Sequence, residues 1–143
     1  MRIAVVAVTL AMLVLTGCSR QSSDPVVACK QADADSLLQL MQTGAWKSFS
    51  DASKGWTTTM PVADMPAALP AVKDARARVE SEDWGACGVG LKPHALATID
   101  AVVAGMEAAI AGDLHESDRQ YEVSKREWEA MNSRWSEIRA TPD

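Results

Sequence analysis

Residues 93–111 constrain this chain more than any other stretch. Leu96, Ile99, Val103, Met106 and Ile110 recur at intervals of three and four, the period of one face of an α-helix. Asp100 and Glu107 are the only charges between His94 and Gly112, and both fall on one narrow side with Ala104 and Ala111. A helix this apolar has to be surrounded on most sides by other elements, which demands a packed domain. Gly112 ends it, and Asp113 followed by Glu116 has the form of a capping box opening the next helix. That helix, expected over 114–139, repeats Leu114, Tyr121, Trp128 and Trp135 every seven residues, with Met131 and Ile138 in companion positions. Trp128 and Trp135 are therefore expected in the core. On the opposite face, Glu122 with Arg126 and Lys125 with Glu129 stand at ion-pair spacing. The connecting turn is short, so these two helices should be antiparallel neighbours.

Upstream, Asp24 before Pro25 supplies a capping side chain and a proline at the first helical position. A helix is expected over 25–43, with Val27, Ala34, Leu38 and Met41 on a face shared with Ala45. Another is expected over 66–83, with Val72, Ala75 and Val79 inward, although Pro70 requires a late start or a kink. Between them, residues 45–64 lose their period yet carry Trp46, Phe49, Trp56 and Met60, with Met65 just beyond. So long an aperiodic stretch in a small domain marks either a missed element or a functional loop. Trp46 and Phe49, three apart, suit a short helical extension. Residues 84–92 place Gly85, Gly88 and Gly90 around Cys87 and read as a tight turn. Their G-x-x-G-x-G order is the reverse of the dinucleotide fingerprint, and no strand precedes it, which argues against a phosphate loop. No segment alternates as a strand. The expected fold class is all-α, a small antiparallel four-helix bundle-like domain.

The N-terminus has a different character. Arg2 is followed by an apolar run over 3–15 and then by Thr16, Gly17 and Cys18, closing a Leu-x-Gly-Cys box. Residues 1–19 resemble a bacterial lipoprotein precursor. The resemblance implies cleavage before Cys18, lipidation of its thiol with diacylglyceryl and acyl chains, and, with Ser19 next, transfer to the periplasmic face of the outer membrane. The organisation expected is a signal peptide over 1–17, a lipidated tether over 18–24 and a single helical domain over 25–143. With Cys18 so assigned, Cys29 and Cys87 remain as a pair, and in an exported chain a disulfide between them is expected, with two reduced buried thiols as the alternative. Losing residues 1–17 removes Arg2 and no acid, which leaves 13 basic against 19 acidic side chains. That balance disfavours nucleic acid as a partner.

Chemistry is sparse. No G-x-S-x-G, H-E-x-x-H, P-loop or EF-hand pattern occurs. His94 and His115 stand at opposite ends of one helix and read as exposed end residues. Glu80, Glu82 and Asp83 form an acidic cluster, but carboxylates adjacent on an open helix seldom face each other across a cleft as glycoside hydrolysis demands, so a solvated acidic face is expected. Met60 and Met65 invite a cuprous site, while Met41, Met106 and Met131 occupy helical core positions where methionine fills gaps. No enzyme activity, cofactor or metal is expected. Five tryptophans against one Tyr and one Phe are the real compositional excess. Trp56, after Gly55 in a polar loop, is either a plug over the core or an exposed anchor for a partner or a glycan. The candidate binding residues are Trp46, Phe49, Trp56 and Met60. The expected function is a membrane-anchored, non-enzymatic protein-binding lipoprotein, either an accessory subunit of an envelope complex or an immunity protein against an envelope toxin, which an acidic surface would help to steer. The alternative is a carrier of a small ligand or cell-wall glycan.

Overall fold

A computed structural model describes residues 29–140. The expected signal peptide, Cys18 and its tether lie outside them. Every regular element described is helical: α1 (Gln31–Thr43), α2 (Ala45–Ala52), α3 (Met65–Ser81), α4 (Gly85–Gly88), α5 (Lys92–Ile110) and α6 (Leu114–Ala140), with a 3₁₀ turn at Val62–Asp64. The domain is all-α and tied by a disulfide between Cys29 and Cys87, whose Cα atoms are 4.7 Å apart. Four long helices match those expected, and two short ones occupy the connections.

The α5–α6 hairpin is the centre of the molecule. Gly112, at φ +83°, adopts the left-handed conformation that favours glycine. Its N–H donates to the Ala109 carbonyl and that of Asp113 to Ala108, the double bond of a Schellman stop. Asp113 then caps α6 by accepting the Glu116 N–H at 2.9 Å. The reciprocal half of a capping box is absent, because the Asp113 N–H already serves α5. The two helices run antiparallel: Gly105 meets Gln120 near the turn, and His94 Nδ1 lies 2.7 Å from Glu127 Oε2 farther along. That contact corrects the expectation of an exposed His94; His115 is exposed.

On α5 the buried face is built from Ala95, Thr98, Ile99, Val102, Gly105, Met106 and Ala109. Small residues allow close approach on both sides, so Leu96 and Val103 are only half-buried and Ile110 is exposed. The narrow acidic side of α5 faces α3. Lys73 Nζ donates to Glu107 at 2.6 Å and Arg76 Nε to Asp100 at 2.9 Å. Val72, Ala75 and Val79 are buried as expected. Pro70 lies on the exposed side of α3 and is accommodated inside a helix that starts at Met65 rather than later.

α1 begins at Gln31, and Asp24, Pro25 and Val27 of the expected helix start lie outside the described residues. Lys30 is extended, at φ −88° and ψ 156°, where it leads out of Cys29 and its bond to Cys87. α6 also departs in detail from the expected ion pairs: among the described residues its own pairs are Glu116 with Arg119 and Arg134 with Glu137, at a spacing of three. The core unites Leu37, Trp46, Phe49, Trp84, Leu91, Ile99, Met106 and Met131. Trp128, expected among them, is 42% exposed.

Candidate functional site

α2 decides where the aromatic residues go. Gly44 separates it from α1, and the Ala45 N–H at its start donates to Glu82 Oε1 at 2.8 Å. The other Glu82 oxygen accepts the Trp84 indole N–H at 3.3 Å. With the helix start fixed, Trp46 and Phe49 share its inner face and their rings meet at 5.0 Å. Trp46 meets Trp84 edge-on at 6.5 Å and lies parallel to Trp128 at 5.7 Å. Trp128 thus covers buried Trp46 and keeps the rest of its ring at the surface.

The loop after α2 places Trp56. Gly55, at φ +76°, offers its carbonyl to the N–H groups of Thr58, Thr59 and Met60 at 3.1, 2.8 and 2.7 Å. This tight coil sets Trp56 against α5, where the indole takes the space that a side chain at 105 would need. A β-carbon on Gly105 would lie 2.5 Å from Trp56 Cη2 and 2.6 Å from Cζ3. The exposed edge of Trp56 meets Tyr121 of α6 at 6.3 Å, near perpendicular.

Two recesses open on either side of the Trp56–Tyr121 contact. One, of about 360 Å³, lies at the α5–α6 turn and is lined by Met60, Val62, Met65 and Leu114, with Asp118 as its one charged residue. The other, of about 310 Å³, opens between α2, α5 and α6, with Trp46 and Phe49 as floor and Trp128 and Lys125 at its side. All four loop residues singled out from the sequence therefore converge here. Trp46 and Phe49 do so as buried floor, Trp56 as the shared wall and Met60 as lining of the first recess. Cys18 lies outside the described residues. Sequence reasoning missed Leu114, Tyr121 and Trp128, which it assigned to a core stripe. The signal was present in the spacing, since seven residues drift about 20° per repeat around a straight helix. Leu114, Tyr121 and Trp128 are 61%, 39% and 42% exposed, while Trp135 at the far end is half-buried.

Three of the hydroxyls nearby are occupied. Ser53, Thr98 and Ser124, which line the second recess, donate at 2.8 Å to the carbonyls of Phe49, His94 and Tyr121. In the acidic cluster, Glu80 pairs with Arg76, Glu82 caps α2, and Asp83 accepts the Gly85 N–H at 2.8 Å. Glu80 and Asp83 are exposed and bonded locally, as a solvated acidic face would be, and only the Glu82 carboxylate joins separate elements. Among the described residues, no group of three or more His, Cys, Asp or Glu is placed to hold a metal ion. On α6, hydrogen bonds from Arg119 and then Gln120 hold the Glu116 carboxyl at a pKa of about 2, below its ordinary 4.5. No protein-family model, curated protein or solved structure matches this chain.

Proposed function

We propose that this protein is a non-enzymatic protein-binding module of the bacterial envelope, lipid-anchored through Cys18 at the periplasmic face of the outer membrane, with the exposed side of α6 as its recognition surface. The observation that carries this reading is the concentration of exposed Val62, Leu114, Tyr121 and Trp128 around two adjoining recesses. Rigidly backed Trp and Tyr are the side chains on which protein interfaces concentrate their binding energy. A Trp56 already seated on Gly105 loses little freedom when a partner covers it. An accessory subunit and an immunity protein would both use such a face. A glycan carrier would use the second recess, where three hydroxyls already donate to backbone carbonyls and Ser50, Lys125, the Tyr121 hydroxyl and the Trp56 and Trp128 indole N–H groups remain to bind a ligand. The exposed apolar residues beyond that recess favour a protein.

A photo-crosslinking side chain placed in the full chain at Leu114 or Trp128 should give a discrete protein adduct in cells, and one at Ala77, exposed on α3, should not. Absence of an adduct at both α6 positions would defeat the reading. For the anchor, Cys18→Ser should move the chain from the membrane fraction to the soluble periplasm, and unchanged fractionation would refute lipidation.

A further inference from the structure

We infer that the recess at the α5–α6 turn receives an apolar segment of a partner protein that carries basic residues beside its apolar ones. This rests on the protein-binding reading and specifies the partner's chemistry. Met60, Val62, Leu114 and Tyr121 supply the apolar part of a lining that Thr57, Thr58 and Ser117 make partly polar, and Asp118 is its one charge. Asp64 adds a second carboxylate between Val62 and Met65, and Asp113 a third beside Leu114. Asp113 uses Oδ1 to cap α6, while neither Asp64 nor Asp118 has an ion-pair partner among the described residues. The neighbouring cations are engaged, Lys73 with Glu107 and Arg119 with Glu116. Exposed His115 stands beside Leu114, and the exposed Lys54 and Lys125 lie beyond Trp56 and Tyr121, Lys125 in the adjoining recess. The rim is therefore acidic on a chain whose formal charge is already −5. Such a field draws in a cationic segment and repels an acidic one. A second copy fits poorly, because a two-fold pairing would bring acidic rim against acidic rim.

The placement agrees with an external partner. The described chain starts at Cys29, bonded to Cys87 just before α5 begins. The recess lies at the opposite end of α5, 19 residues and about 28 Å away. A domain held by its Cys29 end thus carries the recess at its far end.

The test uses two helix-forming peptides with the same leucine face, one bearing lysines on its polar face and the other glutamates, titrated against the mature chain and read by tryptophan emission. The lysine peptide should bind, with affinity that falls as salt is added. The pair Asp64→Lys and Asp118→Lys should weaken it about tenfold and improve binding of the glutamate peptide. Equal binding of the two peptides, or no change in the double variant, overturns the inference. The Leu114 crosslink in cells separates the two levels. An adduct of equal yield in the native chain and the double variant leaves the protein-binding reading standing and removes the basic partner. An adduct of the chain with itself replaces that partner with a second copy and overturns the inference, and no adduct removes the reading beneath it.

Discussion

Replacing Gly105 by Ala sets two effects against each other. In a helix interior this exchange ordinarily stabilises by about 0.8–1 kcal/mol. Here the new methyl overlaps the Trp56 indole, and forcing an overpacked side chain to move costs about 1–3 kcal/mol. The expected result is a lower urea midpoint with red-shifted tryptophan emission. In a Trp56→Ala background the overlap is gone, so the same substitution should stabilise, a reversal of sign that a double-mutant cycle reads directly. A stabilising Gly105→Ala in the intact chain would mean that the indole does not sit there. Glu116 gives a second residue-scale prediction, in pH. Its folded pKa of about 2 lies below the ordinary 4.5, so its contribution is complete above 4.5 and is lost as pH falls through about 2. The carboxyl is only half-buried and its partner Arg119 is exposed, so the contribution is correspondingly small. Arg119→Gln should return the carboxyl titration toward 4.5 in a side-chain NMR experiment, and an unmoved midpoint would contradict the role of Arg119.

Among the elements, α2 depends on a residue from elsewhere. Glu82→Ala leaves both the Ala45 N–H and the Trp84 indole N–H without their acceptor, a loss expected to cost about 1–2 kcal/mol in urea unfolding. Glu82→Gln retains an acceptor and should cost less, and an unchanged Ala variant would show that the cap carries no weight. This contact joins residues 37 apart in the chain, which is why local sequence did not disclose it. The helices that sequence did disclose have strong punctuation: Pro66 opens α3, Pro93 opens α5, and Gly112 with Asp113 separates α5 from α6. Those boundaries lie within two residues of expectation. α4 was illegible because its four residues include two glycines, a composition that disfavours helix; packing of buried Trp84 and the bond at Cys87 accompany it instead. α6 was legible as a helix and misread as a surface. Periodicity shows which residues share a face without showing how much of that face another element covers, and α2, eight residues long, covers only part of it. The aromatic loop was read as a site because it lacked a period, and its residues do meet, but Tyr121 and Leu114 on the facing wall looked like ordinary packing.

In the whole molecule, the Cys29–Cys87 bond closes a loop with a sequence separation of 58. Restricting the unfolded chain in this way contributes about 4 kcal/mol in the chain-entropy account, so the Cys29→Ser, Cys87→Ser double variant should unfold at markedly lower urea. An unchanged midpoint would leave the bond without a stabilising role. The same connectivity governs mechanics. When an anchored chain is pulled by a partner held on α6, covalent tension passes from Cys29 through the sulfur bridge to Cys87 and on to α5 and α6. α1, α2 and α3 sit on a closed side branch and carry no backbone load. Stretched between Cys29 and residue 140, the oxidised protein should release a contour shorter by about 200 Å than the reduced one, the extended length of that loop. The strain of holding a partner against a membrane would fall on the α5–α6 hairpin, leaving the helix that supplies the floor of the second recess outside the covalent line of force.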